Sequence, residues 1–182
     1  MIPFKIKKLT DTAKLPEQAN KGDLWDLFAD GFDLSFIGTS LSECHTFLEI
    51  PSQCRVLVKT GLAIELPKRY GNSGFHFESS KPLEKIIKEE FEITGYAVAD
   101  IRPRSGLALK HGLTVLNTPG TIDNSYRKEI GVIMINHGHE PYTIRKGDKI
   151  AQMLIRELAP SSFTVVEDFE DTGRGGFGST GV

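Results

Sequence analysis

The chain has 182 residues, of which 39% are hydrophobic and 25% are charged, and these values are ordinary for one globular domain with its own core. A formal net charge of −2 excludes a bulk attraction to nucleic acid or to an anionic membrane, so neither is expected as a partner. The first residues lack the apolar core of a signal peptide and no apolar run could span a membrane, which predicts a cytoplasmic protein, in the host-cell cytoplasm if it is viral.

Short strand-like segments, separated by turn residues, make up most of the chain. In the first part they are predicted at 47–50, 55–60 and 62–66. In the second part they are predicted at 96–101, 113–116, 132–135, 143–145, 150–157 and 163–166. Many short strands with frequent Gly, Pro and Asn breaks predict an all-β sandwich or jelly roll.

One segment breaks the β pattern. Apolar residues lie near helical spacing at Leu83, Ile86, Ile87 and Phe91, with charged residues on the other face. Pro82 suits the first turn of a helix. We therefore predict a short helix here that packs against the sheet or covers one of its edges. A surface that binds a partner is the alternative.

Five short strings carry the residues of chemical interest. In chain order they are Gly-Phe-Asp-Leu at 31–34, Pro-Arg-Ser-Gly-Leu-Ala at 103–108, Gly-Thr-Ile-Asp-Asn-Ser-Tyr-Arg-Lys-Glu-Ile-Gly at 120–131, Gly-Asp-Lys-Ile-Ala-Gln at 147–152 and Gly-Gly-Phe-Gly-Ser-Thr-Gly at 175–181. The third lies between two apolar runs and is predicted as the tip of a β-hairpin. A purely structural hairpin tip does not require an aspartate and a tyrosine three residues apart. Asp123 and Tyr126 can both face a cavity beside the hairpin, where the carboxylate can act as a base and the aromatic ring can line the cavity.

Together the five strings resemble the five motifs of the trimeric dUTPases, which hydrolyse dUTP to dUMP and pyrophosphate. The resemblance extends from about residue 31 to the C-terminus. It implies a distorted jelly roll with one short inserted helix, assembled as a homotrimer whose sites are shared between subunits. It also implies a β domain over residues 1–171, an insertion at about 71–94 that carries the helix, and a flexible glycine-rich lid over residues 172–182.

The resemblance assigns the central chemistry to two carboxylates. Asp123 would be the general base that takes a proton from the water attacking the α phosphorus. Its alternative role is that of a turn-stabilising residue. The expected metal is Mg²⁺, held mainly by triphosphate oxygens and waters. Asp33 would reach the hydrated ion, orient Arg104 by a salt bridge, or do both.

The other motif residues would bind the substrate. The implied phosphate contacts are Arg104, Ser105, Gly106 and Gln152. Backbone groups of an extended segment would read uracil, and the matching positions are Asn117, Thr121, Ile122 and Gly131. Tyr126 would pack on the sugar and exclude UTP by a clash with its 2′-hydroxyl. The tail would place a ring over uracil and meet the phosphates through Arg174, Phe177, Gly178, Ser179 and Thr180.

Three positions depart from the family pattern. Asp30 stands where a small residue usually precedes the first-motif glycine, and Lys128 stands where glycine usually follows Tyr-Arg. Thr172 occupies the place of the tail arginine, and Arg174 lies two residues closer to the phenylalanine. A flexible tail could still bring Arg174 to a phosphate.

Two alternative functions remain open from the sequence. The dCTP deaminases have relatives with the same fold, although the third string and the Gly-Phe-Gly-Ser-Thr tail favour a dUTPase. A dUTPase-like regulatory protein would instead use the insertion at about 71–94 to bind a partner. Ammonia release from dCTP and pull-down with and without the insertion would separate these functions.

Overall fold

The computed structural model describes residues 2–33, 46–70 and 93–170, and most of the regular structure in these ranges is β-strand. The strands are β1 (Lys5–Lys8), β2 (Trp25–Phe28), β3 (Gly31–Asp33), β4 (Phe47–Ile50), β5 (Arg55–Lys59), β6 (Leu62–Glu65), β7 (Lys68–Tyr70), β8 (Ile93–Pro103), β9 (Leu113–Val115), β10 (Gly120–Ile122), β11 (Gly131–Asn136), β12 (Tyr142–Arg145) and β13 (Lys149–Leu158). The helix of the described residues is α1 (Ser105–His111). In the same residues no helix is both long and apolar enough to cross a membrane.

Two larger sheets form the body of the molecule. One has five strands in the order β10-β8-β13-β2, with β7 also paired to β8, and the other has the order β3-β5-β11-β9. Two smaller antiparallel pairs, β1 with β6 and β12 with β4, complete the architecture. Buried side chains of both sheets form one core, among them Leu27 and Met153 from the first sheet and Val58 and Val132 from the second. The molecule is therefore an all-β sandwich, as the sequence predicts.

The apolar pattern of the sequence fixes which face of each strand is buried. In β11 every second side chain is buried, beginning with Val132 and Met134, because side chains alternate between the two faces of a strand. The third member of this buried row is polar. The amide of Asn136 is satisfied by donating to the carbonyls of Ile50 at 3.0 Å and Glu140 at 2.8 Å. A buried polar group with such partners is compatible with the core.

The third string is not the tip of a simple hairpin. Its flanking strands β9 and β11 do pair, with Val115 opposite Met134. The segment between them, however, contains β10, which crosses to the other sheet and pairs with β8 so that Gly120 lies opposite Ile101. The connection therefore ties the two sheets together, and a hairpin turn alone would leave β10 without a strand to pair with.

The strand predicted at 163–166 is wrong. Residues 159–170 form no strand, and Phe163 and Val165 are 89% and 85% exposed. An alternating apolar pattern predicts a strand only where a neighbouring strand can satisfy its backbone. No strand of the described residues pairs with this segment.

The helix α1 was not predicted from sequence. It begins after Arg104, which offers no side-chain cap, and none of its residues is buried, so neither a capping residue nor an apolar stripe marks it. It ends at Gly112, whose φ of 69° is left-handed. The helix predicted around 82–91 lies outside the described residues. β8 begins at Ile93 and so overlaps the end of the predicted insertion.

Candidate functional site

A buried carboxylate gathers several polar side chains at the end of the five-stranded sheet. Asp26, on β2, is only 5% exposed. Its Oδ2 accepts a hydrogen bond from Lys149 Nζ at 2.8 Å, and its Oδ1 accepts one from Gln152 Nε2 at 3.1 Å. Arg104 Nε lies 3.8 Å from the same Oδ1. We call these four residues the Asp26 cluster, and it contains two of the predicted phosphate-binding residues.

Strand register brings the Asp26 cluster together. Gln152 lies directly opposite Asp26 across the β2–β13 pair, so both side chains point to the same face of the sheet. On the other side of β13, Ala151 lies opposite Pro103, and Arg104 follows at once. The guanidinium also donates from Nη1 to the carbonyl of Lys149 at 3.5 Å. The positions of these side chains thus follow from the sheet.

The electrostatics of the Asp26 cluster favour an anion. Burial raises the pKa of the Asp26 carboxyl, but the hydrogen bonds from Lys149 and Gln152 and the positive charges of Arg104 and Lys149 outweigh that effect. The pKa therefore lies below its ordinary value of 3.8, and the carboxyl is ionised at neutral pH. Within the cluster two cations face one carboxylate, and the further carboxylate near Lys149, that of Glu17 at 3.9 Å, is 63% exposed and largely solvated. The cluster therefore suits a phosphate group.

The loop that carries Asp123 is fastened to the body of the molecule by its neighbour. The side-chain amide of Asn124 donates to the carbonyls of Leu66 at 3.3 Å, Pro67 at 2.9 Å and Ala97 at 3.1 Å. These carbonyls belong to the segment between β6 and β7 and to β8. Asp123 itself is exposed. The carboxylate of Asp123 is therefore accessible to solvent, while the backbone beside it is held in place by the bonds of Asn124.

Further bonds fix the rest of this loop. Tyr126 donates its backbone N–H to the Asp123 carbonyl at 3.1 Å and its hydroxyl to the Glu129 carbonyl at 2.8 Å. Arg127 Nη1 donates to the carbonyls of Asn124 and Tyr126. The carboxylate of Glu129 accepts the backbone N–H of Gly61 at 2.8 Å. The loop from Asn124 to Glu129 is therefore held by bonds within itself and by the bond from Gly61.

The predicted uracil-reading residues lie on or beside β10. The Thr121 hydroxyl donates to Asp100 Oδ1 at 2.8 Å, and Asp100 is 2% exposed and also accepts from Arg156 Nε at 2.6 Å. A contact between Thr121 and a base would thus use its backbone. The amide of Asn117 lies against Gly120, where an added Cβ would come within 3.2 Å of it. Ile122 is half-buried against the core.

The remaining predicted residues occupy two other places. Asp33 and Gly131 lie on the strands that flank β5, where Asp33 is opposite Leu57 and Gly131 is opposite Lys59. Ser105 and Gly106 occupy the first turn of α1, where both are exposed and an added Cβ on Gly106 would meet nothing within 4 Å. The predicted tail contacts lie outside the described residues, namely Arg174, Phe177, Gly178, Ser179 and Thr180.

Within one chain, the Asp123 loop and the Asp26 cluster lie far apart. Ile122 is opposite Ala99 on β8, so Asp123 follows at the level of Val98. Arg104 comes six residues later along the same strand direction, a distance of about 20 Å at the usual rise per residue. Side chains of aspartate and arginine cannot bridge such a distance, so the Asp123 loop and the Asp26 cluster do not meet within one chain.

Comparisons with proteins of known sequence agree with one another. The family model described as dUTPase matches residues 86–181. The deoxyuridine 5′-triphosphate nucleotidohydrolase of Alkaliphilus metalliredigens is 41% identical over 100% of this chain and 99% of its own length. The protein of that name from Crocosphaera subtropica is 42% identical over 100% of both. The similarity therefore extends from end to end.

Solved structures show the same fold. The dUTPase of Staphylococcus bacteriophage 80alpha with dUpNHpp matches with a TM-score of 0.67 at 23% identity, covering 99% of each chain. The dUTPase of phage phi11 of S. aureus, for which a structural Mg(II) ion is described, matches with a TM-score of 0.62 at 20% identity, covering 93% of this chain and 99% of its own. The predicted jelly-roll-like fold is thereby confirmed.

Proposed function

This chain belongs to the dUTPase family and hydrolyses dUTP to dUMP and pyrophosphate, and we propose that its two half-sites divide the work of that reaction. The Asp123 loop supplies the base and the nucleoside pocket, and the Asp26 cluster with the start of α1 binds the phosphates. The end-to-end identity to nucleotidohydrolases of this name carries the assignment of the reaction. A nucleotide substrate belongs to the intracellular pool, so we propose the cytoplasm as the compartment.

The reaction is a hydrolysis at the α phosphorus. Asp123 takes a proton from a water molecule whose oxygen forms the new bond to phosphorus, and the bond from that phosphorus to the bridging oxygen breaks. Pyrophosphate leaves with the electrons of that bond. Arg104, Ser105, Gly106 and Gln152 offer donors to the phosphate oxygens and so stabilise the charge that develops there.

A direct assay separates this activity from the alternatives. Pyrophosphate release should be fastest with dUTP when dUTP, dCTP, dTTP and UTP are supplied at equal concentration. Ammonia release from dCTP without pyrophosphate would instead identify a deaminase. A folded protein that releases neither product would favour the regulatory alternative, in which the insertion at about 71–94 binds a partner. The relatives that align over the whole chain are named deoxyuridine 5′-triphosphate nucleotidohydrolases, and this favours dUTP hydrolysis.

The nucleoside pocket is proposed to lie beside β10. One edge of β10 pairs with β8. On its opposite edge, backbone groups of Thr121 and Ile122 would read uracil. The side chain of Asn117 and the backbone of Gly131 would complete this surface. The ring of Tyr126 is 39% exposed and is held by its hydroxyl, so it can stand against the sugar.

Tyr126→Ala should raise the hydrolysis of UTP relative to dUTP, because removal of the ring opens the space that a 2′-hydroxyl needs. The measurement is the ratio of kcat/KM for the two nucleotides. Tyr126→Phe is the matched control, since it keeps the ring and loses only the bond to the Glu129 carbonyl. An unchanged ratio in Tyr126→Ala would place sugar selection elsewhere.

The proposed metal is Mg²⁺, and the donors that the chain offers suit one mode of binding. In the described residues no group of three or more His, Cys, Asp or Glu side chains could hold a metal. A hard ion can instead be held by triphosphate oxygens and waters with one protein carboxylate. Asp33, at the end strand of the four-stranded sheet, is the carboxylate that would contact the hydrated ion. When bound, the ion would neutralise phosphate charge.

A homotrimer with shared sites is proposed from two observations. The half-sites of one chain are about 20 Å apart along β8, so a complete site needs the Asp123 loop of one subunit beside the Asp26 cluster of another. In addition, the segment 159–170 exposes Phe163, Val165 and Phe169 to the extent of 89%, 85% and 85%. Such an apolar segment is typical of a surface that another subunit covers.

Mixing two impaired variants tests the sharing of sites. Asp123→Asn and Arg104→Ala, unfolded and refolded together, should recover about a quarter of wild-type activity, because random assortment in a trimer places an intact loop beside an intact cluster at that frequency. Each variant refolded alone is the control. A mixture without recovered activity would show that each site lies within one chain. Sedimentation of the mixture reports the oligomeric state.

The tail, residues 172–182, lies outside the described residues, and we propose from its sequence that it is a lid. Residues 173–182 contain five glycines, and to order such a segment costs about 1–2 kcal/mol per residue. A bound nucleotide can offset that cost through Phe177, Gly178, Ser179 and Thr180, with Arg174 at a phosphate. The closed tail would exclude water from the reacting groups.

Truncation after Asp171 should leave assembly and thermal stability nearly unchanged but sharply lower turnover. Turnover of dUTP, sedimentation and thermal unfolding are the measurements. Arg174→Ala should reproduce part of the loss if that arginine reaches a phosphate. Wild-type turnover in the truncated protein would exclude the lid, whereas a silent Arg174→Ala would exclude only the arginine.

A further inference from the structure

The strand proposed to read uracil is short and lies at the end of its sheet. β10 has only three residues, Gly120–Ile122, and within the described ranges it pairs with β8 alone. A strand held by few backbone hydrogen bonds at one edge opens locally at a low cost in free energy. The affinity of its backbone groups for a base should therefore depend on any further contact that holds β10 in place.

A buried carboxylate on β8 makes such a contact. Asp100 lies directly opposite Thr121, the middle residue of β10, and is only 2% exposed. The hydroxyl of Thr121 donates a hydrogen bond to Asp100 Oδ1 at 2.8 Å. A hydrogen bond to an ionised acceptor is stronger than one between neutral groups. This bond therefore ties β10 to a strand in the interior of the sheet.

The carboxylate of Asp100 is itself held in one orientation. Arg156 donates from Nε to Oδ2 at 2.6 Å and from Nη2 to Oδ1 at 3.4 Å, so one planar guanidinium meets both oxygens. Burial raises the pKa of the Asp100 carboxyl, but the hydrogen bonds from Arg156 and Thr121 and the positive charges nearby outweigh that effect. The pKa therefore lies below its ordinary value of 3.8, and the acceptor of the Thr121 bond is ionised at neutral pH.

A second anchor holds the other end of the same segment. The amide of Asn124 donates to the carbonyl of Ala97, which lies on β8 three residues before Asp100. Asp123 is next to this second anchor, whereas Thr121 is held by the first. Loss of the Asp100 bond should therefore disturb the backbone that meets uracil more than it disturbs the base of the reaction.

We propose that Asp100 is a positioning residue for the nucleoside, which holds the backbone of β10 through the Thr121 hydroxyl in the place where it meets uracil. The inference rests on the nucleoside pocket proposed beside β10. The carboxylate is buried, so Asp100 acts through Thr121 and does not touch the substrate. Its contribution is confined to the nucleoside part of dUTP, and the phosphate part should bind independently of it.

Two variants remove opposite ends of the same bond. Thr121→Val removes the hydroxyl and nearly keeps the shape of the side chain, and Asp100→Ala removes the acceptor. Each should weaken the binding of deoxyuridine, measured by calorimetry, by about 5- to 30-fold, which corresponds to the cost of ordering the backbone of one residue. The affinity for pyrophosphate should not change. Equal losses for deoxyuridine and pyrophosphate would overturn the proposal.

Steady-state kinetics with dUTP give a second readout. The KM should rise in both variants while kcat stays near that of the wild type, because β10 holds uracil equally before and during the reaction. A general loss of structure near the reacting groups would instead lower kcat. A fall in kcat without a rise in KM would overturn the proposal.

Arg102→Ala is the matched control. The guanidinium of Arg102 lies 3.8 Å from the same carboxylate, too far for a hydrogen bond, so its removal changes the charge beside Asp100 and leaves the Thr121 bond in place. This variant should bind deoxyuridine as the wild type does. A loss equal to that of Asp100→Ala would mean that charge around the carboxylate, and not the bond to Thr121, governs nucleoside binding.

A double-mutant cycle tests whether the two residues act through one bond. Thr121→Val combined with Asp100→Ala should lose no more deoxyuridine affinity than the more affected single variant. Losses that multiply would overturn the proposal. A loss in Thr121→Val without one in Asp100→Ala would also overturn it, since the hydroxyl would then meet uracil directly. Failure of the wild type to release pyrophosphate from dUTP would overturn the proposed function instead, and the deoxyuridine affinities would still decide the role of Asp100.

The test does not depend on the folding of Asp100→Ala. The side chain of Arg156 is 40% exposed, so water can solvate it when its partner is removed and the fold should survive. If it does not, Thr121→Val decides alone, because Thr121 is exposed and its change leaves the ion pair of Asp100 intact. Wild-type affinity for deoxyuridine in Thr121→Val would overturn the proposal.

Discussion

Asp123→Asn is expected to lower turnover at least about 10²-fold, the loss typical of a missing general base. Fold, assembly and dUTP affinity should be retained. The side chain of Asp123 is exposed and makes no hydrogen bond to the residues that the structure describes, and surface substitutions of this kind usually change stability by less than about 0.5 kcal/mol. An asparagine of the same shape cannot accept the proton.

The measurement is pyrophosphate release at saturating dUTP, with dUpNHpp affinity as the check on binding. Ser125→Ala is the matched control, since Ser125 is an exposed polar residue on the same loop. It should keep wild-type turnover. Near-normal turnover in Asp123→Asn would remove Asp123 from the role of base, and an equal loss in Ser125→Ala would point to the loop's conformation.

Arg104→Ala is expected to lower kcat/KM for dUTP by about 10- to 100-fold. A hydrogen bond to a charged group contributes about 1.5–3 kcal/mol, and each 1.36 kcal/mol corresponds to a factor of ten in rate. The loss should exceed any change in thermal stability, because the guanidinium is 30% exposed and its pair with Asp26 is long.

Arg102 provides an unusually close control. It lies two residues earlier on β8, and its guanidinium is 3.8 Å from the buried carboxylate of Asp100, the same distance as that between Arg104 and Asp26. Arg102→Ala removes the same charge and a similar ion pair, but no phosphate contact is proposed for it. Equal losses in both variants would mean that overall charge, and not a contact at Arg104, governs dUTP hydrolysis.

Much of the fold could be predicted because its strands carry their own signal. The strand predicted at 150–157 is β13, Lys149–Leu158, and the one predicted at 132–135 is β11. The pattern at 163–166 has the same appearance but no partner strand in the described residues. The residue pattern of a segment predicts which face of a strand is buried. Whether the strand forms also depends on a neighbouring strand that is distant in sequence, and the local pattern does not contain that information.

The site was predictable to the extent that its residues stand in recognisable strings. Asp26 stands in none of them, yet a carboxylate within the apolar sequence Leu-Trp-Asp-Leu-Phe is a usable signal, because a buried charge requires cations nearby. Asn124 stands in the third string, which was predicted only as a hairpin tip. Its bonds to three carbonyls, including that of Ala97, depend on long-range folding and leave no trace in the local sequence.

The pairing of β7 with β8 has a consequence for how this protein can vary. Tyr70 lies opposite Ile93, so the chain leaves the sheet and re-enters it at neighbouring points. The entropy of closing such a loop grows slowly, by about 0.6 kcal/mol for each doubling of its length. Segments of very different size can therefore be exchanged between these two strands without a shift in strand register. This junction is a natural place to graft a reporter domain.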